Sequence, residues 1–223
     1  MDDTSCLAQC NCIKGWDGSD CSVTSAAMES KMNLRDSMMN SMTDALRTVD
    51  DAGVVSALAN VEMMVLNPNE ISSTASNSAV KATKSMLTLS AKSKLPYEKL
   101  LSTLGTLDNI QAAMTKGGGN VKSTRRRLST DTSSVLDSVI SMSSIIMSQM
   151  VEGQAPVTQI NGNVRMSTAV VNSKDNQVKV LTPLTSMEQQ SGVVPFGVAI
   201  SNMTKPHAVK VTIFNHHIII SPS

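Results

Sequence analysis

Aromatic side chains are almost missing from this 223-residue sequence, with one Trp, one Tyr and two Phe making 2% of it. Hydrophobic residues still reach 41%, so any core has to be filled by Met, Leu, Val, Ile and Ala. The sixteen Met suit that task, because an unbranched thioether adapts to irregular gaps. An excess of one charge is missing too: 19 basic residues balance 18 acidic ones, for a net charge of +1. Such a balance gives no electrostatic footprint for nucleic acid, and none is expected as a partner. No apolar run approaches the ~20 residues that cross a bilayer. The most apolar helical candidate, Val135 to Val151, is interrupted throughout by Ser. The opening Met1-Asp2-Asp3 is unlike a secretory signal, which begins with a basic stretch before an apolar one.

Catalytic patterns are also lacking. His207, His216 and His217 have no acidic residue close in sequence, and neighbouring side chains on a strand point to opposite faces. Gly117-Gly118-Gly119 is not followed by the Lys-Ser/Thr of a phosphate loop, and it follows a helical pattern, not a strand. It reads as a linker. No GxSxG, HExxH or redox Cys pair occurs. The expectation is a non-enzymatic protein with no catalytic, cofactor-binding or metal site.

What the chain does contain is a local cluster of cysteines. Cys6, Cys10, Cys12 and Cys21 all fall within the first 21 residues, and none follows. Bunching of this kind points to a small staple or a metal site. In Cys10-Asn11-Cys12-Ile13-Lys14-Gly15-Trp16-Asp17-Gly18-Ser19-Asp20-Cys21, the two glycines can supply the positive-φ positions of tight turns. Trp16 can cover a disulfide in a module too small to own a core. Zinc sites favour paired C-x2-4-C spacing with a second ligand pair downstream, and no Cys follows Cys21, so the staple is the favoured reading.

The pattern C-x-C-x2-G-W-x-G-x-D-C resembles the C-terminal half of an EGF-like domain of the tenascin and teneurin type. The resemblance implies a Cys12–Cys21 disulfide. It makes Cys10 and Cys6 the fourth and third cysteines of the module, disulfide-bonded to partners it does not fix within this sequence. It also implies an extracellular or cell-surface setting, reached through the secretory pathway. The sequence is then expected to be a piece of a larger protein whose signal and any anchor lie outside it. The sequon Asn202-Met203-Thr204 agrees and makes Asn202 a candidate glycosylation site.

Beyond Cys21 the apolar residues adopt a helical period. Met28, Met32, Met39, Met42, Leu46 and Val49 mark a first helix, and Val54, Leu58, Val61 and Val65 a second. Asn67-Pro68-Asn69-Glu70 separates these from a third helix with Ala75, Ala79, Ala82, Met86 and Leu89. Pro96 opens a fourth, striped by Leu100, Leu104, Leu107, Ile110 and Met114. A loop to Leu128 is expected next, with Arg125-Arg126-Arg127 solvated in it, or serving as a convertase site or polyanion contact. A fifth helix, Ser129 to Val151, carries Val135, Val139, Met142, Ile146 and Met150, with N-caps offered by Ser129 to Thr132.

Strand patterns follow at Val164–Val171, at Val178–Leu181 as its return across a turn, at Val193–Ile200, at Ala208–Phe214 and from His216. Five helices and then five strands, in separate blocks, predict an α+β chain. Its expected parts are residues 1–23 as half of an EGF-like module, 24–152 as a helical bundle and 153–223 as an antiparallel β-sheet or sandwich, truncated at its end.

This order of parts, with Asn67-Pro68-Asn69-Glu70-Ile71-Ser72 ahead of Ala-rich and Leu-rich helices, resembles the GAIN and receptor-for-egg-jelly regions of polycystin-family and adhesion-receptor ectodomains. A GAIN domain also carries a terminal Cys- and Trp-bearing segment and a His-Leu-Ser/Thr cleavage site. Here His217 is followed by Ile218-Ile219, so self-cleavage is not assigned to it. The resemblance implies an adhesion or stalk segment whose partners are other proteins, copies of itself or glycans. The alternative is a structural subunit of an extracellular fibre, sheath or flagellar hair.

Overall fold

The first three long helices each begin where a short polar side chain caps them. In the computed structural model, which describes residues 10–18, 20–46, 48–116, 125–151, 153–162, 164–171, 177–195, 197–201, 209–214 and 217–222, Thr24 accepts from the Ala27 N–H at the start of α1 (Ser25–Ala45). Asp50 does the same for Gly53 in α2 (Asp51–Val65), and Ser72 for Ala75 in α3 (Ser73–Lys92). These acceptors satisfy N–H groups that a first helical turn leaves without partners. Pro68 stops the α2 run in a 3-10 turn, Pro68–Glu70. A second such turn, Tyr97–Leu100, precedes α4 (Thr103–Lys116), and α5 spans Arg125–Gln149.

The central element is α3, which packs against α1, α2, α4 and α5. Its composition explains the position: Ala75, Ser76, Ala79, Val80, Ala82 and Thr83 are all buried, and side chains this small let four helices approach one axis. Met86 and Leu87, 0% and 1% exposed, fill the wider space towards its C-terminus. Buried hydroxyls return to the helix itself, Ser76 donating to the Ser72 carbonyl and Ser90 to that of Met86. Around α3, the stripes Leu104, Leu107, Ile110 and Val135, Val139, Met142, Ile146 are each 0% exposed. The Gln149 amide at the end of α5 donates to the Leu95 carbonyl at 2.8 Å and accepts from the Tyr97 N–H at 3.1 Å, holding the α3–α4 connection.

Antiparallel strands complete the chain. A four-stranded sheet has the order β3 (Val157–Asn161), β4 (Val164–Val171), β7 (Val209–Phe214), β8 (His217–Pro222). A separate pair joins β5 (Gln177–Leu181) to β6 (Gly197–Ser201), and α6 (Ser186–Gln190) lies between them in sequence. A two-residue pair, β1 (Trp16–Asp17) with β2 (Val23–Thr24), precedes α1. The sheet shares the helical core, since Val164 and Met166 of β4 belong to the same buried cluster as α4 and α5. The described chain is α+β, with helices and small antiparallel sheets.

Three expectations need correction. Val178–Leu181 does not return along β4. Both edges of β4 are taken, by β3 on one side and β7 on the other, so β5 pairs elsewhere. The strand expected from Val193 starts only at Gly197, because Pro195 has no N–H to give a ladder. Arg125–Leu128 is not loop but the first turn of α5, and Ser129 to Thr132 lie inside the helix, not at its cap. No Pro or Gly occurs between Arg125 and Gln149 to stop the helix reaching back that far. The Arg125–Arg127 side chains, His207, His216, Gly117–Gly119 and Asn172–Asn176 lie outside the described residues.

The β3–β4 turn provides a local test. Gly162 has φ +42°, and a Cβ there would run into the Asp108 carboxylate, lying 3.0 Å from its Cγ. Gly162→Ala is expected to lower stability by about 1–3 kcal/mol in urea unfolding. Gly153→Ala, where φ is +80° but nothing lies within 4 Å, is the control for backbone cost alone.

Candidate functional site

Two places carry the residues of interest. The first is the front module. Cys12 and Cys21 are joined, with an S–S distance of 2.11 Å and Cα atoms 5.2 Å apart. Gly15 and Gly18 have φ of +93° and +95°, values that only glycine adopts readily. The Gly15 carbonyl accepts from the Ser25 N–H at 3.0 Å, and β2 runs straight into α1, so the module is tied to the helix without a linker. Trp16 is 43% exposed and Ile13 75%, so the indole is a surface feature more than a cover.

Of the cysteines assigned to disulfides, Cys12 and Cys21 are the pair joined among the described residues. Cys10 is an exposed free thiol, because the other described cysteine sulfurs are bonded to each other. Cys6 and Asn202 lie outside the described residues.

The second place is a groove of about 910 Å³ between α1 and α2. Although 21 residues long, α1 buries only Met28 and Met39 within its span. Between the two helices lie Leu34, Met38 and Met63, with exposures of 61%, 47% and 71%. One end is closed by a polar clamp around Glu70, which is 9% exposed. Lys31 Nζ donates to its Oε1 at 2.8 Å, and Arg35 Nε to its Oε2 at 3.2 Å, with Arg35 Nη2 bonding the same oxygen. Arg35 Nη1 also donates to the Met64 carbonyl at 2.5 Å, reaching the end of α2. Asp36, on the next turn face, accepts from Ser72 at 2.5 Å.

The hydrogen bonds from Lys31 and then Arg35 hold the Glu70 carboxyl below its ordinary value, outweighing the desolvation that would raise it. Charge stabilisation therefore wins over burial. The clamp joins α1, which buries only Met28 and Met39 along its span, to the end of α2 and to the Pro68–Glu70 turn. Chemically the groove offers an apolar floor and a polar end. Among the described residues no group of three or more His, Cys, Asp and Glu is placed to hold a metal ion, and no helix is long and apolar enough to cross a membrane.

A smaller constellation braces the sheet. Arg165 of β4 binds Glu188 through Nη1 at 2.9 Å and Nη2 at 2.5 Å, while Glu188 and Thr185 form a reciprocal cap on α6. The Arg165 hydrogen bonds, followed by that from the Thr185 N–H, bring the Glu188 carboxyl down to about 2.

Sequence reasoning assigned none of Lys31, Arg35, Glu70, Leu34 or Met63 to a site. A signal was present: Leu34 and Met38 fall off the stripe that runs through Met28, Met32, Met39 and Met42. Apolar residues left over from a buried face mark an exposed one. No protein-family model matches this chain, and a search of curated proteins finds no match.

Proposed function

We propose that this chain is a non-enzymatic adhesion or stalk segment of an extracellular protein, with an EGF-like half-module joined to a helical and antiparallel-β body. The reading takes its ectodomain setting from the resemblance to GAIN and receptor-for-egg-jelly regions of polycystin-like and adhesion-receptor proteins. The observation that supports it best is the Cys12–Cys21 bridge, in a ring turned by Gly15 and Gly18 and hydrogen-bonded directly to α1. A disulfide of this kind persists in oxidising compartments. A linker-free junction transmits load from module to body, as a stalk requires. Glycan on Asn202 and binding to other proteins belong to the same reading.

Secretion of the chain behind a signal peptide tests it. Unreduced peptide mapping should recover Cys12 bonded to Cys21. Secreted protein with both thiols free would sink the EGF-like assignment. Cys21→Ser should cost about 2–3 kcal/mol of local stability. That loss is expected as faster tryptic cleavage after Lys14, while the melt of the helical core is unchanged. Stretching the chain between its ends at constant force should release the body in discrete steps. Smooth extension without a step would overturn the stalk reading.

A further inference from the structure

The even charge of the whole chain hides a local excess. Between Glu70 and Glu98 the sequence has no carboxylate, yet Lys81, Lys84, Lys92 and Lys94 fall there, and Lys99 follows. All five side chains are exposed. Among the described residues only Lys84 has an ion-pair partner, Asp137 of α5 at 3.3 Å, with both side chains more than half exposed. The other carboxylates placed near this stretch are Glu98 itself and Asp36, which accepts from Ser72 at the head of α3. Set against the five lysines, Glu98, Asp137 and Asp36 still leave +2.

The burial of α3 arranges these cations in a line. Its neighbours cover most of it, and from residue 81 onward they leave one exposed strip: Lys81, Lys84, Ser85, Thr88, Ala91 and Lys92. Lys81 and Lys92 are three helical turns apart, so they stand on the same side, about 16 Å from one another. Lys84 stands within a turn of Lys81. Lys94 follows at φ +51°, just past the helix end, where the left-handed region makes Gly the usual residue. The macrodipole accounts for a cation in the last turn, and Lys92 already supplies it. A further cation held on a strained backbone points to a use for its charge.

We propose that this strip, with the turn after it, binds a sulfated polysaccharide. A lipid surface calls for large apolar side chains beside the cations, and in the strip Ala91 alone is apolar. Single-stranded nucleic acid calls for exposed aromatic platforms, and base edges call for Arg. Residues 71–100 contain no Arg, and their one aromatic, Tyr97, is half-buried with its hydroxyl accepting from Gln154. Protein interfaces are depleted in Lys. A polyanion with spaced charges and a hydroxyl-bearing backbone fits what is present. Lys offers each sulfate a point charge. The Thr88 hydroxyl donates to the Lys84 carbonyl, which keeps its oxygen as an acceptor for a sugar hydroxyl. The partner class rests on the cell-surface reading above. The strip does not involve the front module, so its failure would leave the Cys12–Cys21 result and the force steps untouched.

Titration calorimetry of the full chain with heparin as the probe is the test. The expected result is saturable binding whose dissociation constant rises about 20–40-fold between 50 and 200 mM salt, as release of counterions by three cations requires. Replacing Lys81, Lys84 and Lys92 together by Gln should weaken binding on the order of 30-fold, and replacing them by Arg should not. The Gln variant should melt like the parent, because all three side chains are exposed. Lys94→Gly should bind more weakly and yet melt about 1–3 °C higher, since it removes a charge and a strain at once. No binding up to about 1 mM heparin overturns the proposal. So does equal affinity for heparin stripped of its sulfates. Binding that survives the Lys→Gln changes but is lost in Arg125→Gln, Arg126→Gln, Arg127→Gln places the contact elsewhere and overturns it too. Tighter binding to poly(dT) or to phosphatidylserine vesicles than to heparin would give the strip to nucleic acid or lipid instead.

Discussion

Met86→Ala will lower the unfolding free energy by about 2–5 kcal/mol, whereas Met38→Ala will change it by no more than about 0.5 kcal/mol. Met86 is 0% exposed at the point where α3 meets its neighbours, and Ala there leaves a cavity that four anchored helices cannot collapse to fill. Met38 is 47% exposed and loses little packing on truncation. At about 2–4 °C per kcal/mol for a chain of this size, Met86→Ala should melt roughly 4–20 °C lower. Urea unfolding of both variants measures the contrast. Equal losses would mean that α3 is not the axis on which the other helices depend.

Glu70→Ala is expected to cost about 2–4 kcal/mol. Breaking a fully buried pair costs about 3–5 kcal/mol, and the lower range allows for Lys31 and Arg35 remaining 47% and 22% exposed. The loss should be local at first. With only Met28 and Met39 buried along its span, α1 should lose hydrogen-exchange protection before α3 or α5 does. The pH dependence has a fixed sign. Because the folded carboxyl lies below its ordinary 4.5, its contribution is present above that pH and is lost as pH falls through it. Wild type should therefore keep its advantage over Glu70→Gln from neutral pH down to about 4.5 and lose it on the acid side of that value. Glu188→Gln should show the same sign over a window extending from 4.5 down to about 2. An advantage for wild type that persists or grows in acid would mean that the clamp does not depend on the ionised carboxylate.

The helices were legible because their apolar residues serve one purpose. Val54, Leu58, Val61 and Val65 are all buried on α2, as are Val135, Val139, Met142 and Ile146 on α5 and Met150 just beyond it. Periodicity reports burial, and burial dominates there. Strand pairing was less legible, because Val178–Leu181 carries no mark telling it which edge is vacant. That depended on β3 and β7 occupying β4 first. The first turn of α5 was misread for a related reason: Ser129 to Thr132 are good caps, but good helix formers precede them. The groove was hidden differently. Leu34 and Met38 lie off the Met stripe, and Glu70 lies in the Asn67-Pro68-Asn69-Glu70 break between helices. Only the fold brings Lys31 and Arg35 to that carboxylate across more than thirty residues of sequence.

The position of α3 bears on how such a chain can change over generations. In a solenoid, each repeat touches only its neighbours, so repeats are gained and lost one at a time. Here α1, α2, α4 and α5 all spend their apolar faces on the same small-residue helix. Deleting a terminal helix pair would strip α3, and duplicating one would give the extra pair no axis to join. Residues 25–149 are thus inherited as a block with the β4 residues Val164 and Met166 that share their core, and recombination points that leave a working protein should cluster at the cysteine-bearing front.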